Sequence, residues 1–404
     1  MLQMPKKLGN TYSPLYFLSS LGAGGLVITF FMYLMFWVPH TGLPVPVFEN
    51  IADVAINGAL VSRLMVWAAL AGIAFFSLLH FRMLFWNLSE LRHYRETDAW
   101  KKLHASNAAT QCKAVPLTLA MSVNVLFMLG LVFVPQLWSV VEYLFPFALV
   151  AFVLIGAYAL KLLGVFFGRV FTEGGFDLKA NNSFAQLLPA FALAMVSVGL
   201  AAPAAMSTSA LIVGIAAPLS IFFMTAAVVV GIVAMVIGFH SMIEHGTSPE
   251  AAPTLMVVIP ILTVLGIAMV RLDHGLHAQF DVHSSAGNTF VMLSTILSVQ
   301  LLFGMLGILV MRRQSYFTKY LTGSGQRSAG SYALVCPGVA LSVMLHFFVN
   351  AGLVATGLLT KFSVAYWVAM SPAIALQLLT IMLVFYLQRL HFGQRRSHDV
   401  PVAV

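Results

Sequence analysis

The sequence predicts an all-α integral membrane protein with ten transmembrane helices, and three observations lead to this. The chain of 404 residues is 60% hydrophobic and only 8% charged, whereas soluble globular domains carry about 25% charged residues. Its apolar runs are long enough to cross a bilayer, for which roughly 20 helical residues suffice. Its basic residues are concentrated on one side of the predicted spans. The chain has two cysteines, which excludes a disulfide scaffold.

Apolar runs of about 18 residues or more are interpreted as spans, which gives the ten predicted helices. They cover residues 15–38, 58–85, 113–135, 137–163, 183–206, 210–239, 253–271, 288–311, 331–358 and 364–388. The longest polar connection is residues 87–111, and no soluble domain is predicted. The sequence therefore indicates a single polytopic membrane domain over residues 1–404.

The basic residues orient these spans, because cytoplasmic loops of membrane proteins carry an excess of Lys and Arg. With the N-terminus in the cytoplasm, nearly all of the 21 basic residues fall on the cytoplasmic side. The exceptions are Arg271 and Lys361, on the opposite side, and Arg63 and Arg82, within spans. We therefore expect both termini in the cytoplasm and a multi-pass protein of a bacterial inner membrane. The formal net charge of +8 reflects this asymmetry, and no nucleic-acid partner is predicted.

A weak internal repeat runs through the odd-numbered spans, each of which has a proline near its cytoplasmic start followed by small apolar residues. These prolines are Pro14, Pro116, Pro189, Pro260 and Pro337. Small residues let membrane helices approach closely, and kinked helices occur where a bundle lines a cavity. We therefore expect five hairpins around a central pore-like axis, with the odd helices inside. The alternative is that proline is simply favoured in the first turn of a helix, which explains Pro260 poorly.

The ninth span gathers the least ordinary chemistry of the chain. Cys336 precedes the pair Pro337 and Gly338, and His346 and Asn350 follow within the same apolar run. Because proline removes a backbone donor and clashes with the preceding turn, the helix is expected to kink or thin near residue 333. A thiol beside a kink is easier to reach than one on a straight packed helix. Against this, free cysteine is commonly a small buried apolar residue.

Ten helices in five hairpins with proline-bearing odd helices resemble the tellurite-resistance/dicarboxylate transporter family, which includes bacterial TehA and the slow-type anion channels of plants. The resemblance implies a central pore plugged by a phenylalanine that precedes a proline in the ninth helix. Here the corresponding run is YALVCP, so Cys336 holds the plug position and simple phenylalanine gating is not expected. Members of that family form trimers, so a homo-oligomer, a trimer or a dimer, is an expected partner beside the lipid bilayer.

Two further segments, NSFAQLLPAFALAM (residues 182–195) and SYALVCPGVA (residues 331–340), are similar to the TsoY family of membrane (seleno)proteins. Members of that family carry selenocysteine or cysteine. The resemblance implies that Cys336, rather than Cys112, is the selenocysteine-equivalent position and the functional thiol. A helix N-terminus favours its thiolate, whereas apolar burial favours the thiol, so access of water to Cys336 decides its reactivity.

Two functional classes remain open. The first is a permease or channel for a small anion, such as a sulfur, selenium or tellurium oxyanion. Polar or positive groups would replace the lost hydration of the anion. The candidates for pore lining or substrate binding are Arg63, Asn124, Ser197, Pro337, Gly338, His346 and Asn350. The second is a membrane redox enzyme in which Cys336 attacks a chalcogen substrate or cycles with haem or quinone. The sequence itself identifies no cofactor.

Other polar residues carry weaker expectations. Arg63 is interpreted first as an arginine that extends to the interface, and His80, Arg82, His240 and His245 as interfacial. The loop after the seventh span contains the candidate metal ligands His274, His277, Asp281 and His283, of which His277 and Asp281 are spaced to share a helix face. Histidines in loops are common without any metal, so this site is a minor alternative.

Overall fold

The computed structural model describes residues 4–280, 285–322 and 326–393, apart from the side chains of His274 and of residues 276–280. All regular secondary structure in these ranges is helical. Within them, ten helices are long and apolar enough to cross a membrane. The predictions of an all-α chain and of ten spans are therefore confirmed, and the architecture is that of a multi-pass membrane protein.

The described ranges contain twelve α-helices. They are α1 (Phe17–Trp37), α2 (Phe48–Asn57), α3 (Leu60–Tyr94), α4 (Asp98–His104), α5 (Ala114–Phe133), α6 (Leu137–Glu173), α7 (Leu188–Met206), α8 (Ala210–His245), α9 (Val258–Phe280), α10 (Ala286–Arg313), α11 (Val335–Phe347) and α12 (Val364–Phe392). We call α1, α5, α7, α9 and α11 the inner helices. We call α3, α6, α8, α10 and α12 the outer helices.

Burial separates the two sets. In the most apolar stretches of the spans that contain the inner helices, 61% to 100% of the residues are buried within the protein, against 22% to 33% for the outer helices. The inner helices also contact one another in a closed order. Helix α1 contacts α5 and α11, α7 contacts α5 and α9, and α9 contacts α11. Apolar faces of the outer helices are exposed, as expected for surfaces that face lipid rather than water.

A short 3₁₀ turn precedes each inner helix. These turns are Pro14–Tyr16, Asn107–Lys113, Ala185–Leu187, Ala252–Met256 and Ala329–Leu334. The repeated prolines lie in these turns or in the first turn of the following α-helix, where a missing N–H has no intrahelical acceptor to lose. The expected kink near residue 333 is therefore a 3₁₀ segment, and Pro337 lies in the first turn of α11. The alternative explanation fits Pro260 as well, because α9 begins at Val258.

Several boundaries differ from those predicted. Helices α3, α6 and α8 continue past the apolar runs to Tyr94, Glu173 and His245. Their last turns carry polar residues that a helix tolerates once it leaves the hydrocarbon region. The predicted polar connection 87–111 thus begins inside α3 and includes α4. The amphipathic helix α2, in the connection between α1 and α3, was not predicted because it is too short to read as a span.

Candidate functional site

A cavity of about 110 Å³, which we call the central cavity, lies among the five inner helices. Each contributes to its wall, for example Gly25 of α1, Met121 of α5, Met195 of α7, Val264 of α9 and Val339 of α11. No outer helix contributes a described lining residue. Close helix approach shapes this space, because a Cβ atom on Gly25 would lie 2.7 Å from Val339 Cγ1. Most of the side chains that line the cavity are hydrocarbon or thioether groups, so its wall is almost entirely apolar.

A second cavity of about 210 Å³, the terminal cavity, lies at the end of the bundle where the inner helices start. The turn before each inner helix, or the residue next to that turn, contributes to the wall of this cavity. The lining residues are Leu15, Gln111, Ala185, Thr254 and Ser328. All five helices therefore direct their N-terminal ends toward the same space. We call this the N-terminal end of the bundle.

Phe191 and Cys336 line both cavities. Phe191 lies in the first turn of α7 and Cys336 in the first turn of α11, so both belong to the N-terminal end of the bundle. Their side chains are 3% and 7% exposed. Both residues therefore lie where the two cavities meet, and we call this pair the septum.

Arg271 is the one charged side chain among the described residues that line the central cavity. Its Nη1 donates a hydrogen bond to the carbonyl oxygen of Val198 at 3.0 Å, and no ion pair joins it to a carboxylate of the described residues. Pro260 lies at the other end of the same lining stripe of α9, so Arg271 is about 16 Å further along the helix. The arginine and the septum therefore stand at opposite ends of the central cavity.

The remaining polar groups of the central cavity are few. Thr263 is fully occupied, because its hydroxyl donates to the Ala340 carbonyl at 3.1 Å and accepts from Gln300 Nε2 at 2.7 Å. Asn124 lines the cavity, as the sequence led us to expect for a pore residue, and its Nδ2 donates to the carbonyl of Ala120 at 3.1 Å. An anion in this space would therefore find mainly Arg271 and Asn124 as polar partners.

The two residues that follow Cys336 do not line the cavity. Pro337 is buried in the first turn of α11, and Gly338 faces α12. A Cβ atom on Gly338 would overlap the hydroxyl of Thr380, so the glycine permits α11 and α12 to pack closely. Both residues thus position Cys336 rather than contact a molecule in the cavity.

His346 and Asn350 belong to a polar cluster between α1, α11 and α12. His346 is fully buried and its Nδ1 bonds to the Ser342 carbonyl at 2.9 Å, whereas its Nε2 has no partner in the described residues. Asn350 accepts from the Tyr366 hydroxyl at 3.0 Å, and Trp37 Nε1 donates to that hydroxyl at 2.7 Å. Asn350 lies in a π-helical turn that the sequence did not predict, Phe348–Val354. Neither residue lines the central cavity.

Ser197 and Arg63 also lie away from the cavity. The Ser197 hydroxyl donates to the Ser220 carbonyl of α8 at 2.8 Å, so it joins an inner helix to an outer one. Arg63 is exposed in the first turns of α3, which agrees with an arginine that extends to the interface. A helix apolar on all sides gives no rotational signal, which is why the sequence could not separate Asn124 from Ser197.

The prediction that His80 is interfacial is wrong. It is fully buried, its Nδ1 lies 2.8 Å from the Ser20 carbonyl oxygen and its Nε2 lies 2.9 Å from the Ser122 hydroxyl. The imidazole therefore links α3 to α1 and α5. The nearby Arg82 suggested that this position lies at the edge of the span. The sequence does not show which residues of other helices contact His80.

The remaining candidates from the sequence are the other cysteine and the predicted metal ligands. Cys112 lies in the turn before α5, is 4% exposed and lines neither the central nor the terminal cavity. Both cysteines are free. The side chains of the predicted ligands His274, His277, Asp281 and His283 lie outside the described residues. Elsewhere in the described chain, no group of three or more His, Cys, Asp or Glu side chains is arranged to hold a metal.

Arg271 and Phe191 are the site residues that the sequence reasoning missed. Arg271 ends an apolar run and was therefore assigned to the loop side. A basic residue at the end of a helix predicted to start in the cytoplasm is an exception to the positive-inside pattern. Phe191 lies inside the segment 182–195, where nothing distinguishes it from neighbouring apolar residues.

No known protein family and no curated protein matches this sequence.

Proposed function

We propose that the protein is a permease or channel-like protein for a small anion, which crosses the bundle through the terminal and central cavities. In this proposal the chain forms five hairpins around the cavity axis, with both termini in the cytoplasm of a bacterial cell and the protein in its inner membrane. The ring of inner helices and the excess of basic residues at the N-terminal end support this arrangement.

The observation that carries the proposal is the guanidinium of Arg271 at the wall of an apolar cavity. A charge removed from water is costly unless an opposite charge or several hydrogen bonds compensate it. Arginine has five N–H donors, and the described residues provide the carbonyl of Val198 for one of its nitrogens. A small anion in the cavity supplies the missing charge. Charged residues within spans generally mark a pathway for an ion or substrate.

The terminal cavity also favours an anion over a cation. The N-terminal ends of the five inner helices surround it, and each such end carries a partial positive charge. Glu250 also lines this cavity and accepts a hydrogen bond from the Ser328 hydroxyl at 2.6 Å. Because Glu250 is exposed, water and salt screen its carboxylate more than they screen the buried helix ends.

The septum gives the proposed path its gate. Phe191 and Cys336 lie where the two cavities meet, so in this proposal one or both side chains move when a hydrated anion passes. A substrate that passes Cys336 meets its thiol directly, which suits a sulfur, selenium or tellurium oxyanion. Membership of the TehA-like and TsoY families, the selenocysteine-equivalent role of Cys336 and a trimeric or dimeric assembly stay predictions.

A membrane redox enzyme is the second candidate, and one observation favours it. Cys336 stands where two cavities meet, so a substrate could reach its sulfur from either side. No second thiol lies at this septum, because Cys112 lies in the turn before α5. An absorption spectrum of the purified protein distinguishes the candidates, since a Soret band would favour a haem-linked redox role over transport.

Reconstitution in liposomes tests the transport proposal. We expect influx of chloride or sulfite above that of empty liposomes, and faster influx for Phe191→Ala, because the substitution removes the ring from the septum. Phe223→Ala is the matched control, since this buried ring packs against Gly156 of α6 and does not line the path. Flux equal to that of empty liposomes for every anion, in both the wild type and Phe191→Ala, would rule out the proposal.

A further inference from the structure

Four basic side chains gather beside the turn Asn107–Lys113, and none of them lines the terminal or the central cavity. Lys113 Nζ lies 5.1 Å from the centre of the Phe166 ring, and the Arg169 guanidinium lies 5.9 Å from the same centre. Arg169 also donates hydrogen bonds to the carbonyls of His104 and Ser106. The Arg95 guanidinium lies over Trp100, whose ring packs against that of His104.

This cluster has an excess of positive charge. No ion pair joins Arg95, Lys113 or Arg169 to a carboxylate of the described residues. Lys113 is only 2% exposed, and within the described residues its ammonium makes only one hydrogen bond, a long contact of 3.4 Å to the Ala109 carbonyl. Burial lowers the pKa of His104, and the charges of Lys113, Arg95 and Arg169 lower it further. The cluster is therefore built for an anionic partner that the protein itself does not provide.

A third cavity, of about 40 Å³, adjoins the cluster, and we call it the lateral cavity. Phe166, the ring beneath Lys113 and Arg169, lines it, together with Leu163 of α6 and Val233 of α8. It also contains Asn181, which is 2% exposed and whose Nδ2 and Oδ1 both lack a partner among the described residues. A buried amide with neither group satisfied is expensive, so this position indicates a ligand with a polar atom at that depth.

The other polar groups of the lateral cavity are already occupied. Gln186 Nε2 donates to the Asn107 carbonyl at 3.1 Å, and the Thr110 hydroxyl donates to the same carbonyl at 3.0 Å. The segment that carries Asn181 is also fixed, because Asn107 Nδ2 donates to the Asp177 carbonyl at 2.7 Å. Asn181 is therefore held in place with its amide free for a ligand.

We propose that this corner of the protein binds an anionic phospholipid, with the phosphate at Lys113 and Arg169 and the ester region at Asn181. The amide can donate to an ester carbonyl, and the cations can pair with the phosphate. An acyl chain can lie against the apolar side chains of α6 and α8 that line the lateral cavity. A lipid fits better than free phosphate because the space beside the cations is lined by Phe, Leu and Val side chains. The proposal does not depend on anion transport.

Native mass spectrometry of the detergent-purified full chain tests this proposal. Phosphatidylglycerol should remain bound at collision energies that remove phosphatidylcholine. Its occupancy should fall about tenfold for Arg169→Gln and for Asn181→Leu, which is the loss expected for one charge-assisted or buried hydrogen bond. Arg313→Gln is the control, because that exposed arginine ends α10 and does not line the lateral cavity. Equal retention of both lipids, or unchanged occupancy in both site variants, would overturn the proposal.

Two further experiments use the unmodified protein, so a misfolded variant cannot affect them. The first distinguishes a lipid phosphate from free inorganic phosphate. Inorganic phosphate alone should not displace phosphatidylglycerol at millimolar concentration. Displacement would assign the site to free phosphate and overturn the lipid proposal. In the unmodified protein, phosphatidylglycerol should raise the pKa of His104 as observed by NMR, because a bound phosphate offsets the three neighbouring cations. A pKa of His104 unchanged by phosphatidylglycerol would also contradict the proposal.

Discussion

A guanidinium at the wall of an apolar cavity requires a partner, and at Arg271 the protein supplies a backbone carbonyl rather than a described carboxylate. A charged side chain with a structural role has its hydrogen bonds satisfied by the protein itself. Glu90, which is 2% exposed, accepts from the backbone N–H groups of Lys7 and Leu8 at 2.9 and 2.8 Å. Arg271 is half-buried and has one described partner, and this contrast separates a structural role from a binding role.

The two cysteines are expected to differ in reactivity although both are buried. Cys336 lines two cavities, whereas Cys112 lines none of the three. A small membrane-permeant alkylating agent near neutral pH should therefore label Cys112→Ser, which retains Cys336, and leave Cys336→Ser largely unlabelled. The measurement is intact mass against time in folded protein. If Cys336 reacts only after denaturation and Cys336→Ser functions as the wild type, Cys336 is a packing residue.

His104 gives a pH dependence whose direction follows from its surroundings. Burial, with the neighbouring cations adding to it, lowers its pKa in the folded protein below the ordinary value of 6.5. The unfolded chain therefore binds this proton more tightly than the folded protein, so acidification favours unfolding. In lipid-free detergent, stability from His104 should be full above about pH 6.5 and decline below it. Thermal melts of His104→Asn should show a smaller decline over that range, and parallel curves would contradict this assignment.

At the scale of helices, glycines and buried polar links determine how the inner helices approach. His80 joins three helices through Ser20 and Ser122, and Ser197 joins α7 to α8 through Ser220. Such bonds are modest individually but fix the rotation of helices whose faces are all apolar. Rotation in turn decides which residues line the central cavity.

Replacing His80 by leucine should therefore weaken the bundle. The substitution removes the hydrogen bonds of the imidazole to the Ser20 carbonyl and the Ser122 hydroxyl, and we expect a loss of about 1–3 kcal/mol in the free energy of unfolding. Denaturant titration in detergent measures it. Ser298→Ala is a suitable control, because that exposed hydroxyl bonds only within its own helix. An unchanged unfolding midpoint for His80→Leu would show that the imidazole links contribute nothing.

For the molecule as a whole, the sequence was sufficient for the class and the number of spans. Long apolar runs allow few structures in a bilayer, so these features follow from composition and length. The ends of the outer helices were less predictable, since polar last turns such as that ending at Glu173 resemble loops. The extra helix α2 is too short for any rule based on spanning length.

The candidate site was predictable only in part, for a physical reason. Cys336 could be chosen because it interrupts an apolar run beside Pro337, and Asn124 because it is polar within a span. Arg271 and Phe191 join the site through the packing of five helices that are distant in sequence. His346 and Ser197 stood out for the same reason as Asn124, but their helices turn them toward α1 and α8 instead. Rotation about the helix axis is decided by contacts that the sequence alone does not display.

The most direct test of the proposed function compares anion influx in liposomes for the wild type, Arg271→Gln and Arg63→Gln. Arg63 is the matched control, because it is an exposed arginine of an outer helix outside both cavities. Arg271→Gln should reduce influx by about tenfold or more, as expected when one charge-assisted contact with the anion is lost. Arg63→Gln should leave influx unchanged. Equal influx for the wild type and Arg271→Gln would contradict an anion path through the central cavity.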